Sequence, residues 1–310
     1  MEWDLCLLHG CAGVKKLGLV LCLLFAFCFL MRASFYSSKC REPVLIEILH
    51  PELPARPKGP FTVITLNMAG ISSAQQILDE FERLPLFSEA DVVFLQEVVH
   101  SEEGEAVLKT LVDRLRLHAA FATSTEPGLD GKLEGIAILS RRRIYEIQAF
   151  DLNRFGLHLR SRCRLALAAT VETPFGRPAR VFGVHLDTRI NSAERVAQLL
   201  PVIEAAERFE GPAIIGGDFN TNDVYWVRHL LPVPYVYNQR QPLRKFLRQR
   251  GFSTPLNGDR PTFEHFGFGL DWIFLRSLTA SEWGIEPIGF SDHRAVWMRL
   301  GSGEETGGGS

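Results

Sequence analysis

Cysteine is scarce in most of this chain, and its scarcity excludes several kinds of site. Five of the six cysteines lie within the first forty residues, and the remaining sequence contains only Cys163. The body of the protein is therefore expected to lack both a disulfide framework and a cysteine-ligated zinc site. Cysteine usage of this kind does not indicate the redox compartment.

The chain also lacks an excess of either charge. Its 34 basic and 36 acidic residues give a net charge of -2. This near-balance argues against a protein that coats nucleic acid through charge alone, because such domains carry a large basic excess. It does not exclude an enzyme that binds a few phosphate groups at one site. The 310 residues, 46% of them hydrophobic, suffice for one large core.

The N-terminus contains one uncharged apolar run, residues 17–31, which Lys15 and Lys16 precede and Arg32 follows. Fifteen residues are fewer than the roughly 20 that span a bilayer and match the apolar part of a signal peptide. However, no small-x-small cleavage site follows, since the next residues read MRASFYSSK. We expect residues 1–41 to be an N-terminal segment in which residues 17–31 form an uncleaved membrane anchor, with a cleaved signal and secretion as the alternative. Basic residues on both sides leave the orientation open.

Proline and glycine mark the limits of the folded body. Proline recurs in residues 42–60, EPVLIEILHPELPARPKGP, too often for a helix or a central strand, so this segment is predicted to be a linker. The glycine-rich residues 301–310 are predicted to be a flexible tail. One domain is therefore expected over residues 61–300.

Within residues 61–300 the pattern predicts both strands and helices. The predicted strands are 61–68, 91–98, 134–141, 144–152, 164–173, 179–187, 212–219, 270–276 and 293–300. The predicted helices are 74–84, 104–118, 192–209, 223–231 and a basic segment ending at Gly251. Because four strands follow one another in the middle, we expect an α+β fold with two facing sheets and helices outside.

Polar side chains recur where these strands end. They are Asn67, Glu97, His185, Asp218, Asn220, Asp271, Asp292 and His293. Singly, each is more typical of a turn or a helix cap. Together, carboxylates, carboxamides and histidines without cysteine suit a hard cation such as Mg²⁺, Mn²⁺ or Ca²⁺, which commonly binds a phosphate as well.

The segment IIGGDFNTND shows the pattern most clearly, because two glycines and two polar residues follow an apolar strand. The glycines are expected to let the chain bend tightly at the sheet edge. Asp218 and Asn220, two positions apart, are expected to face the same side.

Six motifs in this order resemble the endonuclease/exonuclease/phosphatase superfamily over residues 61–300. They are LNM with Asn67, FLQEV with Glu97, GVHLD with His185, GGDFNT with Asp218 and Asn220, LDWIF with Asp271, and SDHRAV with Asp292 and His293. The family includes deoxyribonuclease I, abasic-site endonucleases, sphingomyelinases, inositol polyphosphate 5-phosphatases and deadenylases. The resemblance implies a four-layer α/β/β/α sandwich of two mixed sheets and metal-dependent cleavage of a phosphate ester.

The resemblance also implies roles for the metal ligands and for the residues around the attacking water. Glu97 would be the principal ligand of Mg²⁺, or of Mn²⁺ or Ca²⁺, with Asn67 and Asp292 close to the ion. Asp218 would orient or deprotonate the water, and Asn220 would hold a phosphate oxygen. Asn67 is also expected to contribute to substrate binding.

His293 would contact the phosphate, polarised by Asp271, and would either stabilise charge or act as the base. His185 would contact the phosphate from the opposite side. Arg160, Arg162 and Arg164 alternate ahead of a strand, where they either face a substrate phosphate or protect an edge strand. Of these, Arg162 is the predicted substrate-binding residue. His265 is interpreted as a solvated loop residue near the cleft.

Three functions remain open at this point. The first is a membrane-anchored or exported phosphodiesterase or phosphatase that acts on a lipid headgroup or another small phosphoester. The second is a nuclease that uses the same site on DNA or RNA. The third is a catalytically inactive binding module, which the complete set of site residues disfavours. LDWIFLR does not match the longer segment of the inositol phosphatases, and His185 is closer to deoxyribonuclease I and the sphingomyelinases than to the abasic-site enzymes. No protein partner is inferred.

Overall fold

The computed structural model describes residues 40–50, 53, 59–101, 107–127, 131–157, 162–234 and 238–302. The predicted apolar anchor or signal at 17–31 lies outside these ranges, as do most of the predicted tail and part of the predicted linker. Within the described part of the chain, no helix is both long enough and apolar enough to cross a membrane.

Two sheets and a hairpin contain the described strands. The first sheet, ordered β1-β4-β5-β3-β2-β14-β13, consists of β1 (Cys40–Ile48), β2 (Phe61–Asn67), β3 (Val92–Ser101), β4 (His118–Thr125), β5 (Lys132–Ser140), β13 (Leu278–Glu286) and β14 (Ala295–Ser302). The second, ordered β12-β9-β8-β7-β6, consists of β6 (Ile144–Asp151), β7 (Leu165–Val171), β8 (Ala179–His185), β9 (Ala213–Asp218) and β12 (Asp271–Arg276). The hairpin pairs β10 (Val224–Val227) with β11 (Leu231–Pro234).

Helices cover the outer faces. They are α1 (Ala74–Arg83), α2 (Pro85–Glu89), α3 (Val107–Leu115), α4 (Ser192–Glu207) and α5 (Arg240–Gln249). Asn191 and Glu194 form a capping box at the start of α4, which satisfies two backbone donors there. After α5, Gly251 adopts φ +79°, the left-handed conformation in which glycine commonly ends helices.

The core consists of two apolar layers. Side chains of both sheets, α4 and α5 form the larger one, and the first sheet packs with α1, α2 and α3 in the other. At the sheet–sheet interface the ring of Phe94 occupies the space above Gly216, where an added Cβ would lie 2.4 Å from it. The predicted four-layer α/β/β/α sandwich is confirmed.

The predicted linker is partly wrong, because residues 40–48 form β1 at the edge of the first sheet. β1 pairs antiparallel with β4, with a register shift between Cys40 and Val44. Pro43 falls at this irregularity, where a missing backbone donor costs least. Local proline content therefore did not exclude an edge strand.

One disulfide joins Cys40 to Cys163, with Cα atoms 5.6 Å apart across a sequence separation of 123 residues. The sequence analysis excluded a disulfide framework from the folded body and did not foresee this one bond. Cys40 was assigned to the N-terminal segment, but it is the first residue of β1 and so belongs to the domain.

The predicted helix at 223–231 is also wrong, since β10 and β11 form a hairpin there. Val224, Tyr225 and Trp226 favour extended backbone. The side chain of Asn191 fixes this conformation, because it accepts from the Trp226 amide at 2.8 Å and donates to the Trp226 carbonyl at 2.9 Å.

Candidate active site

Strand pairing brings three of the predicted site residues to one edge of the second sheet. Asp218 ends β9, where its Cα pairs with that of His185 in parallel β8 and with that of Asp271 in antiparallel β12. Asn67, at the end of β2 in the facing sheet, donates from Nδ2 to Asp218 Oδ2 at 3.1 Å. The edges of both sheets therefore meet at Asp218.

The turn after β9 has a different local geometry from the one expected. An added Cβ at Gly217 would lie 2.0 Å from the Val184 carbonyl oxygen, so this glycine allows β8 to approach closely. Asn220 adopts φ 51° and is not part of an extended strand. Its amide donates to Asp218 Oδ1 at 2.8 Å and its side chain donates to the Leu186 carbonyl at 2.9 Å. The interpretation of the glycines as a bend is wrong because both lie within β9, and the extended backbone assumed for Asp218 to Asn220 is wrong because Asn220 has a positive φ.

His293 is held by a carboxylate and a hydroxyl. Its Nδ1 lies 2.9 Å from Asp271 Oδ2, which also accepts from Thr262 Oγ1 at 2.7 Å. The Ser291 hydroxyl accepts from the His293 amide at 3.0 Å and donates to the Asn67 carbonyl at 2.7 Å. These contacts fix the imidazole and place the turn at 291–293 against the end of β2.

The charges of the buried residues are strongly coupled. Burial opposes protonation of His293, but Asp271, Asp218 and Asp292 outweigh burial and raise the pKa of His293 to about 10. Burial and the Asp271 carboxylate raise the pKa of Asp218 above its ordinary value. His293 is therefore a fixed cation at neutral pH, next to a carboxylate that binds protons more readily than an exposed one.

The environment of His185 shifts its pKa in the opposite direction. Its Nε2 lies 3.5 Å from Asp218 Oδ2. Burial, together with Arg164, Arg162 and His293, lowers the pKa of His185 well below its ordinary value. The two histidines of the site therefore differ in charge at neutral pH, with His185 neutral.

Asp218, Asp271 and His293 form the one cluster of three acidic, histidine or cysteine residues compact enough to hold a metal among the described residues, with potential ligand atoms within 4.8 Å of one another. This set differs from the predicted ligands Glu97, Asn67 and Asp292. A protonated imidazole bonded to a carboxylate has no free lone pair for a cation. We therefore interpret the cluster as a charge network. Asp271 Oδ1, which is buried and has no hydrogen-bond partner, is nevertheless an oxygen that could ligate a cation.

The predicted ligands lie on the same side of the structure. Asn67 pairs with Gln96 in parallel β3, so Glu97 follows directly beside the end of β2. Glu97 is half-buried and adopts φ 53° at a bulge between Leu95 and Val98. Bulges re-aim side chains, and a non-glycine residue at positive φ is uncommon and often functional. An oxygen-rich donor set of this kind fits a hard divalent cation, but the assignment of the ligands stays a prediction.

The predicted arginines contact acidic side chains in the structure. Arg162 forms an ion pair with Glu134 and is about two-fifths exposed. The buried Arg164 donates from Nε to Asp187 Oδ1 at 3.2 Å, and Arg160 lies outside the described residues. Substrate binding by Arg162 therefore stays a prediction. The exposed His265 lies beside the site, with its Nε2 3.6 Å from Asp292 Oδ2.

Sequence analysis missed Arg195, which is 0% exposed within α4. Its guanidinium donates to the carbonyls of Phe219, Asp187 and Thr188 at 3.2, 3.5 and 3.1 Å. Burial lowers the pKa of Arg195 to about 10. Arg195 thereby fixes the segments that follow both β8 and β9.

Helical spacing could have identified this residue. Arg195, Gln198, Leu199 and Val202 lie at positions i, i+3, i+4 and i+7, which form the buried stripe of α4. Gln198 accepts from the Asp187 amide and donates to its carboxylate, each at 2.9 Å. Two polar side chains within an apolar stripe were the available signal.

Comparison with known proteins identifies relatives of this architecture. The sequence profile of the Endonuclease/Exonuclease/phosphatase family matches residues 64–293. A solved endonuclease/exonuclease/phosphatase from Beutenbergia cavernae DSM 12333 superposes with a TM-score of 0.60 and 19% identity, covering 79% of this chain and 72% of that one. A family protein from Leptotrichia buccalis C-1013-b gives 0.58 and 16%, covering 78% and 99%.

The human Nocturnin catalytic domain gives a TM-score of 0.57 and 17% identity, covering 84% of this chain and 98% of that one. At these identities the superpositions establish the fold. The comparison with curated protein sequences finds no match to the chain.

Proposed function

Since this chain belongs to the Endonuclease/Exonuclease/phosphatase family and is a metal-dependent phosphoester hydrolase, we propose that hydrolysis takes place at the buried network around Asp218. The observation that carries this assignment is the buried, hydrogen-bonded Thr262–Asp271–His293 array, 2.7 and 2.9 Å between its members, beside Asp218. A role of these residues as separate turn or helix-cap residues would not explain why two aspartates and a histidine are buried together in one cluster.

The proposed reaction is attack of water on the phosphorus atom. Asp218, held by the Asn67 side chain and the Asn220 amide, accepts a proton from the water as its oxygen bonds to phosphorus. The bond from phosphorus to the leaving oxygen breaks, and that oxygen leaves with the electron pair and is then protonated from solvent. Asp218 acts as the general base because its carboxylate is fixed by two donors.

The two histidines act on the phosphoryl oxygens. His293 stabilises the negative charge in the transition state, because Asp271 keeps it protonated and oriented. His185, neutral and buried, offers a second contact from β8. A divalent cation at Glu97, Asn67 and Asp292 would supply further positive charge to these oxygens when bound.

We further propose that the protein acts outside the cytoplasm, anchored by residues 17–31 or secreted after their cleavage. The disulfide between Cys40 and Cys163 supports this location, because disulfides persist mainly in oxidising compartments. A reporter fused after residue 300, active only when exported, tests the location. Reporter activity that depends on residues 17–31 is expected, and an inactive reporter on a stable fusion would contradict export.

The substrate is proposed as a phosphoester whose class a panel identifies. Purified full-length protein in detergent would be assayed with Mg²⁺ or with EDTA on supercoiled DNA, single-stranded RNA, sphingomyelin and inositol phosphates. We expect metal-dependent turnover of one class, which His293→Gln lowers by at least about a hundredfold and which the control His118→Gln, in β4, leaves unchanged. Equal rates with EDTA, or an unaffected His293→Gln variant, would contradict the assignment.

A further inference from the structure

A short loop stands beside His293 and is fixed by backbone hydrogen bonds. The amides of Thr262 and Phe263 both donate to the Phe268 carbonyl, at 2.8 and 2.9 Å, and Gly267 closes the turn at φ +66°. The loop is also paired with the segment that carries the catalytic histidine. The Glu264 amide donates to the Asp292 carbonyl at 3.0 Å, and the Arg294 amide donates to the Thr262 carbonyl at 2.7 Å.

The loop presents Phe266, the most exposed large apolar side chain in the described part of the chain at 72%. The Phe266 ring lies almost parallel to that of Phe268, with centroids 5.7 Å apart and an interplanar angle of 25°. The Phe263 ring lies 5.9 Å from Phe266 and 4.9 Å from His293. A continuous aromatic surface therefore leads from the proposed phosphate site to the exposed ring.

The exposed ring of Phe266 leaves apolar surface that a bound partner could bury. An exposed aromatic side chain forgoes the free energy that burial would supply. Here Phe266 packs beside the rings of Phe268 and Phe263 and still keeps 72% of its surface exposed, so much of the ring is open to solvent. A fixed, exposed aromatic ring is the arrangement on which a planar group stacks.

The surroundings favour a planar polar group over a lipid tail. The neighbours Glu264 and His265 are both exposed, and Glu264 forms an ion pair with Arg294 at 3.3 Å. Loops and helices that enter a bilayer present several apolar residues together, with basic residues on the polar side. The exposed ring of Phe266 follows a carboxylate and an imidazole in the chain, which does not match that pattern, whereas a nucleobase has both an aromatic face and polar edges.

We propose that Phe266 is a stacking platform for a nucleobase carried by the phosphoester substrate. This inference rests on the proposed hydrolysis at His293 and Asp218 and specifies the substrate class for that site. The base lies on the exposed ring of Phe266 while its phosphate lies against His293. The base belongs either to a free nucleotide or to a single strand of nucleic acid, since every base has a face that can stack.

The test compares ligands that differ only in the base. Binding of adenosine 5′-monophosphate and of ribose 5-phosphate to the full-length protein would be measured by calorimetry with Ca²⁺ present. The variants are Phe266→Ala and Phe266→Trp, and the control is Leu231→Ala, which removes an exposed apolar side chain from β11. A single-stranded deoxyadenosine oligonucleotide and its abasic counterpart distinguish a strand from a free nucleotide.

We expect the wild type to bind adenosine 5′-monophosphate at least about fivefold more tightly than ribose 5-phosphate. Phe266→Ala should abolish that preference without changing ribose 5-phosphate binding, and Phe266→Trp and Leu231→Ala should keep it. Stronger retention of the oligonucleotide than of the free nucleotide would identify a strand as the source of the base.

Other outcomes overturn the proposal. Equal binding of the two phosphates by the wild type, or a preference that survives Phe266→Ala, excludes stacking while leaving the hydrolytic site intact. Binding to phosphatidylcholine vesicles that depends on Phe266, without a preference for the base, would assign the ring to a lipid surface. If neither adenosine 5′-monophosphate nor ribose 5-phosphate binds and no phosphoester is turned over, the proposed hydrolysis itself is contradicted.

Discussion

Replacing Arg195 by methionine should lower both stability and catalysis. The guanidinium donates to three backbone carbonyls, those of Phe219, Asp187 and Thr188, from a fully buried position. Methionine fills much of the space but donates nothing. The Thr221 hydroxyl also donates to the Phe219 carbonyl at 3.1 Å, so methionine removes the donor of the Asp187 and Thr188 carbonyls, at a cost of about 1–3 kcal/mol each. After partial relaxation we expect a loss of about 3–5 kcal/mol, similar to removing one partner of a buried charged pair.

Catalysis should fall because the same carbonyls belong to the segments that carry the site. Phe219 lies between Asp218 and Asn220, and Asp187 follows His185 by two residues. A shift of about 1 Å in reacting groups can cost about a hundredfold in rate. We expect kcat/KM to fall by roughly tenfold to a hundredfold in the folded variant, while Arg195→Lys, which keeps one charged donor, recovers part of both losses.

Arg276 provides a matched control. Its Nη2 also lies within hydrogen-bond distance of three backbone carbonyls, those of Ala206, Phe209 and Gly211. However, it ends β12 five residues after Asp271, roughly 16 Å along the strand. Arg276→Met should therefore lower stability and leave kcat/KM of the folded protein unchanged.

Urea unfolding and steady-state kinetics at a temperature where both variants are folded provide the assay. An Arg195→Met variant with wild-type kcat/KM would refute the idea that this arginine positions the site. Equal losses of kcat/KM in both variants would refute it as well, because the effect would then follow stability alone.

Two further predictions concern stability. The hydrogen bonds from Arg83 and from the Gly289 amide lower the pKa of Glu80 below its ordinary value of 4.5. Glu80→Gln should therefore remove roughly 1–2 kcal/mol of stability above pH 4.5, and this difference should disappear as pH falls through the lower pKa of the folded protein. A difference in urea unfolding that is the same at pH 7 and pH 3 would contradict this. Because the disulfide closes a loop across a separation of 123 residues, Cys163→Ser should lower the free energy of unfolding by about 3–5 kcal/mol. A reductant should produce the same loss in the wild type and none in the variant. Equal unfolding midpoints for the wild type and Cys163→Ser would show that the bond does not form.

Much of the fold could be predicted because its central strands have strong local patterns. Residues 61–67, for example, are buried throughout in β2, and their β-branched sequence indicates a strand covered on both faces. β4 escaped prediction because HAAFATST contains three alanines and little β-branched character. β1 escaped because its partner β4 is distant in sequence, and local propensity does not report such pairing. β10 pairs with the neighbouring β11, but the Asn191 side chain that fixes it lies 35 positions away from Trp226.

The candidate site was likewise only partly predictable from the sequence. The types and positions of three of its residues could be predicted because Asp218 ends an apolar strand, Asp271 begins one and His293 lies two residues before one. Their network could not, because the bonds from His293 to Asp271 and from Asn67 to Asp218 join residues 22 and 151 positions apart. Arg195 was missed for a different reason, since a charged side chain in a helix is rarely fully buried.

The most direct test of metal-dependent hydrolysis at this site is the turnover of full-length wild type and Glu97→Gln on the phosphoester that the substrate panel identifies, with Mg²⁺ or EDTA. Glu282→Gln, at an exposed position in β13, is the control for a lost carboxylate. The account predicts that Glu97→Gln unfolds at the same temperature as the wild type, binds Mg²⁺ more weakly in calorimetry and loses the metal-dependent turnover that Glu282→Gln keeps. A folded Glu97→Gln variant with wild-type turnover and Mg²⁺ affinity would contradict the proposed metal site.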